Sequence, residues 1–384
     1  MTNKFIPVSE PYLRNLEKKF LLDAFDSGWI SASGPYNKKL EDEFSKFCGV
    51  NYGSTVSNGT VALHLAVRAL ELQKGDEVIV PNFNGIYGVY ALMYEGVTPI
   101  PVDAEFDTWN INPDLIEEKI TNKTKAIMVV HLYGHPCDMD RIQKIADKYN
   151  LPIIEDAAEA HGAEYKSRKA GSLGDISTFS MYANKIMTSG EGGIVLTNNK
   201  NYYEKIEYLK NQCFSLYGPR NFIHEDLGYN YRYTNLQAAI AYAQFLQLDD
   251  LNNKRIEVNT KYRAAIADID GITFQVNKDY AKNVYWMSSI LIEKDKTGFS
   301  RNDLEEHLLE NKIQTRRLFV GLHRQPVLKK YGIVINEDFP VSDMLSDNGL
   351  YLPTSPQLDS SDIDMVADKI RALYVTKNKL KYQK

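Results

Sequence analysis

Along the first two-thirds of the chain, short apolar runs alternate with longer stretches whose apolar residues recur at helical spacing. The runs are "DEVIVP" (76–81), "TPIPVD" (98–103), "KAIMVVHLY" (125–133), "LPIIEDAA" (151–158), "STFSMYA" (177–183) and "GGIVLTN" (192–198). Near-continuous apolar strands of this kind suit a sheet covered on both faces. Between them lie stretches such as "NGTVALHLAVRALEL" and "CDMDRIQKIADKYN" with a helical period. Strand–helix alternation predicts an α/β fold with a mostly parallel sheet.

From about residue 236 the pattern changes. "LQAAIAYAQFLQLDDLNNKRIEVNTKYRAAIADI" predicts one long helix or a broken one. "VYWMSSILIEK" then reads as a strand, "SRNDLEEHLLENK" as a helix with Ser300 as N-cap, and "SDIDMVADKIRALYV" as a terminal helix. The expected organisation is a large α/β domain over 1–250 and a smaller α+β domain over 251–384.

Composition narrows the class. The 384 residues are 43% hydrophobic and 25% charged, ordinary for a globular protein with a sizeable core. A net charge of -5 offers no basic excess for nucleic acid. No run of about 18 apolar residues predicts a membrane span, and the amino terminus has no apolar signal core. Three cysteines, Cys48, Cys137 and Cys213, without a CxxC pair fit a reducing, cytoplasmic setting.

Four segments carry candidate chemistry. "SNGTVALHLAVRAL" opens a helix with Ser57-Asn58-Gly59-Thr60. Helix N-termini present free N–H groups and a positive dipole end, which suit a phosphate; taken alone, the segment is more simply read as an N-cap and a tight turn. In "PIIEDAAEAHG", Asp156 follows an apolar strand, and open α/β sheets bind ligands at the carboxyl ends of strands. An acid there can ligate a metal, act as a base, pair with a cationic ring nitrogen, or cap a helix; Glu155, Glu159 and His161 add a metal-like alternative. "HLYGHPCD" gathers His131, His135, Cys137 and Asp138, but no second ligand pair at zinc spacing accompanies it, and no metal is expected.

The fourth segment is "STFSMYANKIMTSGEGG", a strand followed by a polar turn that carries Ser180 and Lys185 toward the same sheet edge as Asp156. A lysine placed there can bond an aldehyde cofactor. Pyridoxal 5'-phosphate (PLP) requires a lysine, an acid for its pyridine nitrogen and a phosphate cup. Lys185, Asp156 and Gly59/Thr60 supply the three.

The segments "VSNGTVALHLA", "GDEVIVP", "HLYGHPCDMD", "IIEDAAEAHGA", "GSLGD", "FSMYANKIMTSGEGGIV" and "GYNYRYTNLQAA" together resemble the DegT/StrS-type sugar aminotransferases, over nearly the whole chain. The resemblance implies an aspartate aminotransferase-like (fold type I) large domain, a homodimer with shared active sites, and transfer of an amino group from glutamate to a ketone. Lys185 matches the Schiff-base lysine, where dehydratase relatives carry histidine. Asp156 matches the acid at the pyridine nitrogen, Gly59, Thr60 and Ser180 the phosphate ligands, and Glu159 a position near the ring hydroxyl. Asn230 matches a residue that reaches the phosphate from the partner subunit, and His323, in "LHRQP", one near the sugar. The implied acceptor is a nucleotide-linked 4-keto-6-deoxy sugar for surface polysaccharide. A smaller phosphorylated ketone or a UDP- or dTDP-linked keto sugar is the alternative acceptor, and a dehydratase or non-catalytic regulatory relative the alternative role.

One stretch departs from that pattern. In "PNFNGIYG" (81–88), Gly85 stands where relatives carry an aromatic residue that stacks on the cofactor. Phe83 or Tyr87 is then the candidate for a ring from elsewhere, and Gly85 and Phe83 are expected beside the substrate.

Overall fold

The computed structural model describes residues 4–218 and 221–381. Seven strands form the central sheet in the order Tyr52–Val56, Gly193–Thr197, Ile176–Ser180, Ile153–Asp156, Thr124–Val130, Glu77–Pro81 and Thr98–Val102. The last five pair in parallel, while both pairings of Gly193–Thr197 are antiparallel. All six apolar runs form strands. The seventh strand, "YGSTV", is an edge strand with a glycine and three hydroxyl side chains, and it lacks the apolar run that marks the others.

The sheet is covered on both faces, and successive residues alternate between them as a pleated strand requires. Val78, Val80, Ala126 and Met128 share a core with the helix Gly59–Ala69. Ile79, Ile127, Val129 and Ile153 share another with Ile142 and Ala146 of the helix Met139–Tyr149. Helix ends follow local chemistry. The Asn58 side chain accepts the Val61 N–H at 3.0 Å to start one helix, and Asn150 ends another in the left-handed region at φ 53°.

The smaller unit is built on an antiparallel sheet in the order Ile272–Phe274, Ser288–Ile292, Gly349–Leu352 and Arg316–Arg317. Helices Arg301–Glu310 and Ser360–Lys381 accompany it. Ser300 caps the first of these in a reciprocal box with Asp303. The long helical pattern after 236 is broken, into Asn235–Phe245 and Leu248–Ala265. The second of these helices spans two cores: Leu248 and Leu251 pack with the larger unit, Val258 and Tyr262 with the smaller. The 250/251 position therefore falls inside a helix. The amino-terminal segment also crosses over, since Ile6 bridges Ile313 and joins the smaller core.

This topology sets the functional residues. Asp156 and Ser180 end neighbouring parallel strands on one side of the sheet, and the loop after Ser180 carries Lys185. Helix Gly59–Ala69 begins at the same rim. Trp286, Arg316 and Arg317 close the cleft from the smaller unit.

Candidate active site

A cavity of about 850 Å³ opens at that rim, lined by Gly59, Thr60, Asp156, Glu159, Ser180 and Lys185 among others. Six of the residues singled out from sequence therefore share one pocket.

The phosphate-like end is set by close approach of backbone. A Cβ added at Gly59 would lie 2.6 Å from Ser180 Cβ, so only glycine lets the helix start against the strand end. The first N–H groups of a helix lack intrahelical partners. Asn58 takes that of Val61, which leaves those of Gly59 and Thr60 at the pocket beside the Thr60 and Ser180 hydroxyls.

Asp156 is 6% exposed, and its Oδ1 accepts the Ala158 N–H at 3.0 Å. Burial raises its pKa above the ordinary carboxylate value, with Ala158 and the Lys185 charge acting in the opposite direction. The Thr178 hydroxyl, beside Asp156 in the sheet register and in the pocket lining, has no hydrogen-bond partner although it is buried. The buried Asn184 Oδ1 is likewise unsatisfied. Buried polar groups are normally paired.

Lys185 sits in a tight excursion between two strands. Met181 N donates to Gly192 O, Ser189 N to Met181 O, and Thr188 Oγ1 to Met181 O at 2.8, 3.1 and 3.0 Å. Gly190 and Gly192 take φ of 85° and 145°, as the turn demands. Lys185 Nζ lies 3.6 Å from Glu159 Oε1 and 4.0 Å from the Trp286 ring centroid. The other Glu159 oxygen accepts the Tyr133 N–H at 2.8 Å. Burial pushes the Glu159 carboxyl up to about 7 against the opposing pull of Lys185.

Other expectations fall outside the lining. Phe83 is 0% exposed and packs behind the wall, edge-on to Tyr133 and Phe319. Gly85 is also behind it: a Cβ there would meet the Tyr87 ring at 2.8 Å. Tyr87 is half-exposed and lines the pocket, so its ring fills the space that a side chain at 85 would take. His323 joins the two units instead of facing the cavity. Its Nδ1 is 3.0 Å from Asn82 Nδ2, its Nε2 is 3.1 Å from Asp343 Oδ1, and its ring lies on Phe339. Asn230 is exposed and does not line this chain's pocket, whereas Tyr229 and Tyr231 stack on each other at 4.7 Å.

Two of the metal-like histidines are engaged by other groups. His131 lies between Glu155 (3.0 Å) and the Cys137 N–H (3.1 Å), and His135 between Pro136 O and the Lys278 N–H. Burial, followed by the Lys185 and Arg255 charges, lowers His161 to about 3, so it is a neutral ring packed on Phe179.

Sequence reasoning missed the smaller unit's contribution: Trp286, Arg316, Arg317, Phe319 and Tyr351. The only local signals were an aromatic residue just before an apolar strand and the doublet in "QTRRLF".

A lysine against an acid, a second acid at a strand end, unsatisfied Thr178 and Asn184, and a glycine-lined helix start fit PLP. When bound, PLP supplies an electron sink for a carbanion beside the amino nitrogen. Fold and site together define a fold type I PLP-dependent enzyme. A family model described as the DegT/DnrJ/EryC1/StrS aminotransferase family matches residues 11–371, and the chain belongs to that family. It is a PLP-dependent aminotransferase.

The chain is 43% identical over 378 residues to a GDP-perosamine synthase of Escherichia coli O157:H7, covering 97% of this chain and 100% of that one. A GDP-perosamine synthase of Vibrio cholerae is 37% identical, covering 95% and 98%. Among solved structures, S. venezuelae DesV in complex with a ketimine intermediate superposes with TM-score 0.89 at 31% identity, covering 97% of this chain and 99% of that one. DesI in the presence of its TDP-sugar product gives 0.90 at 29%, covering 100% and 96%.

Proposed function

We propose that the protein moves an amino group from glutamate to a GDP-linked 4-keto-6-deoxy sugar, for surface polysaccharide, in the cytoplasm and as a homodimer. The observation that carries amino transfer is Lys185 itself, an amine 12% exposed in the cavity and held beside Glu159. Lys185 Nζ is the group that moves the proton between cofactor carbon and substrate carbon. Asp156 keeps the pyridine nitrogen protonated, while Gly59, Thr60 and Ser180 hold the phosphate. Glu159 would stand beside the bound cofactor, and Tyr87, whose ring takes the space of a side chain at Gly85, would supply the aromatic wall of its pocket.

Four observations support the substrate and assembly. Arg316 lines the pocket, is exposed, and has no acidic partner in ion-pair range among the described residues. Arg317 stands next to it, paired with Glu305 at 2.8 Å. Guanidinium groups suit the phosphates of a nucleotide sugar, and the relatives named as GDP-perosamine synthases favour GDP as the nucleotide. The cavity is larger than a small phosphorylated ketone requires. The segment before Asn230 exposes Phe222 (82%), Ile223 (70%) and Leu227 (72%), an apolar strip suited to a second copy. Asn230 then serves the partner's pocket. Three buried free cysteines suit a reducing compartment.

The test is a half-reaction screen. Protein loaded with the amine form of the cofactor is offered GDP-, UDP- and dTDP-linked keto sugars and small keto phosphates, and the return of near-visible absorbance is followed. Return with the GDP-sugar is expected. Return with only a small keto phosphate rejects the proposed acceptor.

A further inference from the structure

The Trp286 indole lies against Lys185, whose Nζ is 4.0 Å from the ring centroid. It is pinned at several points. Its Nε1–H donates to Asn184 O at 2.7 Å, on the residue next to Lys185. Its backbone N–H donates to Tyr133 O at 2.9 Å, and its carbonyl accepts from Arg255 Nη1 at 2.8 Å. Its ring stacks on Tyr133 at 6.3 Å. The indole is 4% exposed, so the ammonium and the ring meet largely out of water.

The face of an indole carries negative π charge, and a cation over it is held more tightly when both are desolvated. A pinned ring loses little freedom on receiving the cation. Glu159 supports Lys185 from another side, but burial pushes that carboxyl up to about 7, so its charge varies near neutrality. The indole itself carries no titratable group.

We propose that Trp286 is a positioning residue whose ring face holds the Lys185 amine in the states where it is not bonded to the cofactor, and holds it most tightly when it carries a proton. This rests on Lys185 being the cofactor-bonding lysine. Bonding of Nζ to the aldehyde carbon releases water from the aldehyde oxygen and gives up the ammonium's proton to solvent, so the ring loses its cation. Displacement by an incoming ammonium, whose proton passes to Nζ, returns it. The ring therefore stabilises the states with a free lysine relative to the bonded one, and eases release of Lys185 in each half-reaction. It also ties the lysine to the smaller unit, from which Trp286 projects.

The consequence runs against ordinary expectation for a pocket residue. Cofactor-free protein and protein holding pyridoxamine 5'-phosphate both leave Lys185 on the ring, whereas protein holding PLP does not. Removing the ring should tighten PLP relative to pyridoxamine phosphate.

The experiment titrates cofactor-free wild type, Trp286→Phe and Trp286→Leu with each of the two ligands and compares the ratio of dissociation constants. In Trp286→Leu the ratio should move toward PLP by about tenfold, and in Trp286→Phe by roughly threefold. Incorporated fluorinated tryptophan, which keeps the ring's shape and drains its π charge, should move the ratio the same way. A ratio unchanged in all three proteins, or moved toward pyridoxamine phosphate, overturns the proposal. A wild type that binds pyridoxamine phosphate but never bonds PLP through Lys185 overturns the lysine assignment instead.

Discussion

Gly59 and Ser180 come from elements 121 positions apart, yet a Cβ on the glycine would lie 2.6 Å from the serine Cβ. The contact brings the start of a helix against the end of a strand and forms the cup in which the cofactor phosphate is proposed to sit. The obstructing atoms are the Cβ and Oγ of a short side chain, with the Ser180 Cα behind them at 3.3 Å, so little can give way. Gly59→Ala should cost about 1–3 kcal/mol of stability through overpacking. It should also weaken PLP about tenfold or more, read by titration of near-visible absorbance. Ser180→Ala, which leaves the packing intact, should weaken PLP with little change in the unfolding midpoint.

Gly85 and Tyr87 form a different kind of contact. Here the atom that a new Cβ would meet is on a half-exposed ring that can swing away. Gly85→Ala should therefore change stability by less than about 1 kcal/mol and instead displace Tyr87 from the pocket. A double-mutant cycle with Tyr87→Ala on PLP affinity should give a coupling of about 0.5–1 kcal/mol. Additive effects would mean that the two residues act separately.

Glu159 makes stability depend on pH in the cofactor-free protein. Burial raises its pKa from 4.5 to about 7, so the folded state binds this proton more tightly than the unfolded chain. The contribution is complete below about 4.5 and is lost as pH rises through about 7. Urea unfolding of wild type against Glu159→Gln across that window should show wild type losing about 1–3 kcal/mol relative to the variant. Parallel curves would contradict the assignment.

Glu155, adjacent to Asp156, acts structurally. Its oxygens accept the N–H groups of Gly171, Leu173 and Gly174, the Ser177 hydroxyl and His131 Nε2, between 2.6 and 3.0 Å. Burial opposes its ionisation, but these donors hold its pKa below the ordinary value. Its contribution is present at neutral pH and lost as the solution is acidified. Glu155→Ala leaves five donors without an acceptor and should cost about 3–5 kcal/mol, measured by chemical denaturation.

The parts of the site that were legible lie on single elements. Asp156 and Ser180 end apolar runs, Gly59 and Thr60 open a helical pattern, and Lys185 precedes a glycine turn, so local chemistry located each one. Trp286, Arg316 and Tyr351 reach the cavity only because the smaller unit's sheet packs over it, and no local period encodes that packing. Phe83 packs edge-on to Tyr133 and the wall-forming Phe319, while His323, four positions after Phe319, is held by Asn82 and Asp343. Only the packing separates a residue in the wall from one behind it. The edge strand Tyr52–Val56 was hidden for a related reason: its polar composition is recognisable as a strand only through its antiparallel pairing with Gly193–Thr197.

Lys185 also has an internal comparator. Lys210 is about as buried, but its amine is held by Glu207 at 2.6 Å and Glu41 at 3.6 Å outside this pocket. Reducing the PLP-loaded protein with borohydride and mapping the labelled peptide decides between them. The pyridoxyl group should be found on Lys185, and Lys185→Ala should leave the protein unlabelled. A label on Lys210 or any other lysine would contradict the assignment on which the account rests.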